Sequence, residues 1–249
     1  MIDLWLIGIG TGNPDHVTAE AVKAIKQADL ILIPHKGPNK ADLADIRHQI
    51  IAKVAEEALS RVVEFDLPVR DASGTYLDGV SDWHDAIAMV WAETIRSNAG
   101  DDKRVALLVW GDPSLYDSTL RIADRLDPKP KITVVPGITS LQVLTAAFAI
   151  PINRIGAPFT VTTGRQLREQ GWPNRADTIA VMLDGECSFQ TLSGDDYDIW
   201  WGAYVGMPEQ LLISGKLCEI SDTIIAQRAA ARQQHGWIMD IYILRKQVA

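Results

Sequence analysis

Cysteine is scarce. Cys187 and Cys218 are the two in 249 residues. They lie far apart and form no Cys-x-x-Cys, which argues against a disulfide scaffold or a zinc site and for a reducing compartment. Long apolar runs are missing too, since none approaches the ~18 residues needed to cross a bilayer. The first residues are interrupted by Asp3 and carry no basic leader, so a secretory signal is not expected. Positive charge is in deficit: 24 Lys and Arg stand against 32 Asp and Glu, a formal net charge of −8. A nucleic-acid partner would favour a basic face, so none is expected, although a local basic pocket is still allowed. No Gly-Lys-[Ser/Thr] phosphate loop, repeat or low-complexity segment occurs. The expectation is a soluble cytoplasmic protein with no membrane partner and no metal. Its 47% hydrophobic residues suffice for a proper core.

What is present centres on Trp110-Gly111-Asp112-Pro113-Ser114-Leu115-Tyr116-Asp117-Ser118-Thr119. It follows the almost unbroken apolar run 105–110, which reads as a strand buried on both faces of a parallel sheet. The turn then lies at the carboxyl end of a central strand, the edge where open α/β sheets bind ligands. Gly111 lets backbone approach a ligand, Pro113 stiffens the turn, and Asp112 puts a carboxylate at the rim. Apolar Leu115, Ile122 and Leu126 predict a helix leaving the loop.

The chain starts with a strand at 2–7 and the turn Gly8-Ile9-Gly10-Thr11-Gly12-Asn13-Pro14. Thr18 reads as an N-cap before a helix, and 30–33 as a second strand. This β-loop-α-β unit invites a dinucleotide reading. Asn13 stands where the third glycine belongs, however, and Asp29 opens the second strand, whereas a ribose-binding acid would close it. His35 and the basic loop Lys36–Lys40 follow that strand, and a helix with Leu43, Ile46, Ile50 and Val54 on one face carries Arg47. Lys36, Lys40 and Arg47, with Arg70, form a basic patch in an acidic chain. A third strand is expected at 61–65. A long loop carrying Arg70 and Tyr76 follows at 66–82, then a helix from Trp83. A fifth strand at 131–135 runs into Pro136-Gly137-Ile138-Thr139-Ser140 and a helix that stops at Pro151. There the pattern changes. Strands at 158–163, 178–183, 199–205, 210–214 and 237–244, a polar loop at 165–176 and a helix at 221–234 suggest a mixed or antiparallel sheet. Two α/β domains, 1–150 and 151–249, are expected.

The order of these motifs, Gly-Ile-Gly-Thr-Gly-Asn-Pro, Gly-Asp-Pro, Pro-Gly-Ile-Thr-Ser and a strand-terminal Met182, resembles that of the tetrapyrrole methylases. These S-adenosylmethionine-dependent enzymes methylate carbons of the corrin precursor ring. The resemblance spans essentially the whole chain. It implies two α/β domains, the first with a parallel and the second with a mixed sheet, a cofactor cleft between them, and a homodimer. Carried over residue by residue, it assigns Trp110, Gly111, Asp112, Pro113, Leu115, Tyr116, Thr139, Ser140, Met182, Leu183, Tyr204 and Gly206 to S-adenosylmethionine. Two departures stand out. Thr11 and Asn13 replace the proline and aspartate usual in relatives, and Pro34 replaces the aspartate that serves one branch as proton acceptor.

Lys36-Gly37 with Asp42-Leu43 and Arg47, Asp184-Gly-Glu-Cys-Ser-Phe189 and Trp200-Trp-Gly-Ala-Tyr204 are similar to the branch that methylates C-1 of a precorrin and releases acetate. Action on another precorrin intermediate is the alternative. A tetrapyrrole rich in acetate and propionate groups suits Lys36, Lys40, Arg47 and Arg70. Deacylation needs a base to activate water, and His35 and Tyr116 are the candidates.

Overall fold

A computed structural model describes residues 2–35, 41–69, 76–99 and 103–247. They form two compact units, Met1–Thr139 and Ser140–Ala249.

The first unit holds β1 (Asp3–Gly8), α1 (Ala19–Gln27), β2 (Leu30–His35), α2 (Ala41–Ala55), β3 (Val62–Asp66), α3 (Tyr76–Asn98), β4 (Arg104–Val109), α4 (Thr119–Ala123) and β5 (Lys131–Val135). The sheet order is β3-β2-β4-β1-β5 and every pairing is parallel. The apolar run 105–110 therefore does mark the central strand. Val105 to Val109 are all buried, as a strand covered on both faces requires. One face packs Leu4, Leu6, Leu32, Val105 and Leu107 against Ile87, Trp91 and Ile95 of α3 and Ile122 of α4. Burying each such side chain contributes roughly 1.5–3 kcal/mol. Thr18 caps α1 as its sequence suggested, its side chain accepting from Ala21 N at 3.1 Å.

The second unit holds α5 (Ser140–Phe148), β6 (Thr160–Thr163), α6 (Gly164–Gln170), β7 (Thr178–Met182), β8 (Tyr197–Ala203), β9 (Leu211–Lys216), α7 (Leu217–His235) and β10 (Asp240–Lys246). Its sheet runs β6-β7-β10-β8-β9, with β6 and β7 parallel and the rest antiparallel, a mixed sheet. Trp201, Tyr242, Phe189, Ile199 and Leu244 fill the core beneath α7. Packing assigns α5 to this unit, so the division falls before that helix, whereas the change of sequence pattern falls after it.

Three local expectations need correction. Residues 66–82 are not one long loop, because α3 begins at Tyr76. Val80, Trp83 and Ile87 continue a helical period that Gly79, Ser81 and Asp82 obscure. Residues 165–176 are not all loop either. Thr163 caps α6 by accepting from Gln166 N at 3.3 Å, and Gly171, at φ 71°, ends it. Third, Leu115 lies in the turn, and the helix after Gly-Asp-Pro starts only at Thr119.

Candidate active site

Three loops meet at the carboxyl edge of the first sheet. Gly10 and Gly111 form an isolated antiparallel bridge, with Gly111 N donating to Gly10 O at 2.7 Å. Gly111 sits at φ +66° and Gly10 at φ +75°, the left-handed region that favours glycine. A methyl group on Gly8 would lie 2.6 Å from Gly137 N. One on Gly137 would overlap the Gly111 carbonyl oxygen. Main chain thus packs on main chain where β1, β4 and β5 end.

Asp112 fastens this junction. Its Oδ2 accepts from Gly137 N at 2.9 Å, and its Oδ1 accepts from Ser114 N at 2.8 Å and Ser114 Oγ at 2.5 Å. Burial pushes the carboxyl up, but the hydrogen bonds from Ser114 and Gly137 outweigh it and hold the group below its ordinary value. Pro113 is buried and Trp110 and Leu115 are half-buried. Thr139 is buried close behind Gly111, its Cα 3.9 Å from where a Gly111 Cβ would stand. Tyr116 is 43% exposed at φ 49°. Burial pushes its phenol up, so it stays protonated at neutral pH, which weighs against it as the base. Thr11 is buried, its Oγ1 3.5 Å from His16 Nδ1.

Arg47 reaches inward. Pairing between β2 and β4 ends at Leu32 opposite Leu107, while β1 follows β4 as far as Val109. Arg47 Nε donates to the Leu108 carbonyl at 3.0 Å, and Nη1 to the Leu43 carbonyl at 2.9 Å. Desolvation lowers its pKa to about 10, against the pull of nearby Asp117, so it remains a cation at neutral pH. It is a half-buried positive charge held at the mouth of the split between β2 and β4, not a surface arginine. Lys36, Lys40 and Arg70 lie outside the described residues.

Next to it, Glu64 of β3 joins two histidines. Its Oε2 lies 2.8 Å from His35 Nε2, at the end of β2, and its Oε1 lies 2.6 Å from His48 Nε2, on α2. The hydrogen bond to His48 first, then the nearness of His35, keeps the Glu64 carboxyl below its ordinary value. The sequence singled out His35 but neither partner. Residues 35, 48 and 64 share no local spacing, and only strand register and the cover of α2 bring them together.

In the second unit, Met182 ends β7. Leu183 follows at φ 52° and 67% exposed. Tyr204, at φ 50°, follows β8 with its ring in the core. Its hydroxyl donates to the Trp237 carbonyl at 2.5 Å and lies 3.4 Å from the Ala231 carbonyl, so any ligand contact falls to its main chain. Gly206, at φ +86°, donates its N–H to Gln210 Oε1 at 2.8 Å. Ser140 opens α5. Among the described residues, six non-glycines have positive φ, and Tyr116, Leu183 and Tyr204 are three of them. Such strain concentrates at ligand sites.

Asp184, beyond β7, is a buried hub. It accepts from Ser188 N at 2.5 Å, Ser188 Oγ at 2.7 Å, Tyr242 OH at 2.7 Å and Glu186 N at 3.1 Å, and it pairs with Arg168 at 3.3 Å. A methyl group on Gly164 would overlap its carboxylate. The motif 184–189 is therefore a structural knot. Among the described residues no His, Cys, Asp or Glu cluster could hold a metal ion, and no helix is long and apolar enough to cross a membrane.

Comparison with known proteins agrees with this architecture. The tetrapyrrole (corrin/porphyrin) methylase family matches residues 3–221. A precorrin-6A synthase [deacetylating] of Sinorhizobium sp is 46% identical over 251 residues, covering 99% of this chain and 96% of the relative. The solved structure of a cobalamin synthesis related protein (CobF) from Corynebacterium diphtheriae is 37% identical, with a TM-score of 0.85 and 99% of both chains covered. The uroporphyrin-III C-methyl transferase of Thermus thermophilus, solved in complex with S-adenosylhomocysteine, shares the fold at 18% identity and a TM-score of 0.57, covering 98% of this chain and 97% of its own. A parallel sheet whose β1, β4 and β5 loops close on three glycines, joined in one chain to a mixed sheet and matched over nearly all its length, places this chain in the tetrapyrrole methylase family.

Proposed function

We propose that this chain is a deacetylating precorrin-6A synthase of cobalamin biosynthesis, a methyltransferase that takes precorrin-5, S-adenosylmethionine and water to precorrin-6A, S-adenosylhomocysteine and acetate. The observation that carries this reading is the 46% identity, over 99% of the chain, to a relative of that name. S-adenosylmethionine supplies an electrophilic methyl group and carries no phosphate. A floor of glycine main chain at Gly8, Gly111 and Gly137, with no phosphate-binding lysine, suits such a ligand. The cofactor set in the first unit is Trp110, Gly111, Asp112, Pro113, Leu115, Tyr116 and Thr139. The same reading gives the second unit Ser140, the strand end Met182–Leu183, the main chain of Tyr204, and Gly206.

Arg47 binds a substrate carboxylate, with Lys36, Lys40 and Arg70 as further candidates. Among the described residues Nε and Nη1 donate to carbonyls, and Nη2 is the group left to meet it. The acidic chain meets its anionic substrate through these local cations, not through a basic face. The free thiols Cys187 and Cys218 suit the reducing cytoplasm, and the chain acts as a homodimer.

Incubation of the purified protein with precorrin-5 and methyl-labelled S-adenosylmethionine tests the reading. Label should enter the corrin ring with one equivalent of acetate released. Label without acetate would assign the chain to a different ring intermediate, and binding of S-adenosylhomocysteine with no transfer to any precorrin would reject methylation. Light scattering in solution should give twice the 27.4 kDa chain mass. The chain mass itself would reject the dimer.

A further inference from the structure

We infer that Arg228 is a positioning residue for the cofactor: its guanidinium braces the two strand ends of the second unit that carry Leu183 and Tyr204, and so holds their main chain in the shape that S-adenosylmethionine meets. This inference rests on the cofactor assignment proposed above.

Strand order brings the two ends together. β7 and β8 point the same way and flank the antiparallel β10, so both finish beside the start of β10. Leu183 follows β7 at φ 52°, and Tyr204 follows β8 at φ 50°. A residue other than glycine persists in this left-handed region only where its surroundings over-determine it.

Arg228 supplies such surroundings. It lies on α7 and is 8% exposed. Its Nη2 donates to the main-chain carbonyl of Asp184, the residue after Leu183, at 2.9 Å. Its Nε donates to Asp240 Oδ2 at 2.8 Å, and Nη2 also lies 3.3 Å from Asp240 Oδ1. Asp240 opens β10, stands opposite Ala203 in register, and accepts from Trp201 Nε1 of β8 at 3.0 Å. The residue before it, Met239, accepts from Tyr204 N at 2.9 Å. One planar cation therefore reaches the main chain beyond β7 on one side and the carboxylate anchored to the end of β8 on the other. Burial lowers the pKa of Arg228, but the Asp240 carboxylate more than offsets this, so the group stays charged. Two fixed acceptors in two directions suit the rigid fork of a guanidinium, where a lysine would bring a point charge on a flexible stem.

The test measures S-adenosylhomocysteine affinity, the KM values for S-adenosylmethionine and precorrin-5, kcat and melting temperature. It compares wild type with Arg228→Met, Arg228→Lys and Ile199→Val. Ile199 is buried in the same core, so its variant lowers stability without removing any bond of the brace. Arg228→Met should weaken S-adenosylhomocysteine binding by roughly 5- to 150-fold, the range for a left-handed residue that must be forced back into place on binding. Its KM for S-adenosylmethionine should rise and kcat should fall by up to about 10²-fold, the effect of misplacing a reactant by about 1 Å. Its KM for precorrin-5 should hold. Arg228→Lys, which keeps the charge but not the fork, should fall between. If Arg228→Met does not fold, Arg228→Lys decides alone, with an affinity loss of at least about fivefold expected. Ile199→Val should melt lower and bind as wild type does. Arg228 variants that melt lower but keep full cofactor affinity overturn the proposal, as does an equal loss of affinity in Ile199→Val. Wild type without affinity, or Gly206→Val with affinity unchanged, overturns the cofactor assignment itself, and the role of Arg228 falls with it.

Discussion

Gly137 N donates to Asp112 Oδ2 at 2.9 Å, so a carboxylate, not a sheet ladder, ties the loop after β5 to the loop after β4. Asp112→Ala should leave the N–H groups of Gly137 and Ser114 without this acceptor while both cores stay intact. A hydrogen bond to a charged group contributes about 1.5–3 kcal/mol, so S-adenosylhomocysteine affinity should fall by roughly one to two powers of ten. Calorimetry checks this, with circular dichroism confirming the fold. Unchanged affinity would mean that the Asp112 tie does not shape the cofactor site.

The glycines of the junction should not respond alike. At Gly111 the next atom to an added Cβ is 3.9 Å away, so Gly111→Ala carries mainly the strain of its left-handed backbone, about 1–2 kcal/mol. At Gly137 the added carbon meets the Gly111 carbonyl and the Gly8 main chain, neither of which can rotate aside. Gly137→Ala should therefore unfold at clearly lower temperature than Gly111→Ala and bind cofactor less well. Equal melting temperatures would show that the loops are looser than their contacts imply.

Acid should loosen both units. Asp112 and Asp184 each have a folded pKa below the ordinary 3.8. Burial opposes the shift in both, and it is outweighed at Asp112 by Ser114 and Gly137 and at Asp184 by Tyr242, Ser188 and Glu186. A carboxylate with a depressed folded pKa adds stability that is present above its unfolded value and lost as pH falls through the folded one. Denaturant titrations should show stability dropping below about pH 4, and Asp184→Asn should flatten that drop while lowering stability at pH 7. A drop equally steep in the variant would place the acid response elsewhere.

Arg47→Met keeps most of the side-chain volume but removes the donors to the Leu108 and Leu43 carbonyls. A loss of about 1–3 kcal/mol in unfolding free energy is expected, with precorrin affinity weakened about tenfold or more and S-adenosylhomocysteine affinity held. If cofactor affinity falls equally, the arginine serves the loop beyond Leu108 and not the substrate.

Much of this was readable in the residues. The run 105–110 located the central strand, because only a strand covered on both faces dispenses with polar residues. Thr18 announced its cap, and the short connections of the second half announced a mixed sheet. Helix α6 was missed because Leu167 is its one deeply buried large apolar residue and periodicity needs more than one. The cap pair Thr163 and Gly171 was the remaining signal. Arg47 was legible as one cation of a basic patch but not as one held against the Leu108 carbonyl, since the gap that admits it arises where β2 parts from β4, a matter of register. Glu64 was invisible for a similar reason, as its partners come from two other elements.

A junction built of bare main chain has nothing to vary. Where Gly8, Gly111 and Gly137 touch there is no room for even one further carbon at two of the three positions, so drift at the centre of the junction has no small step to take. The precorrin-6A synthase and the uroporphyrin-III C-methyl transferase named above nevertheless carry the names of different rings. In this chain a change of ring preference therefore has room only beside the junction, in replaceable side chains such as Arg47.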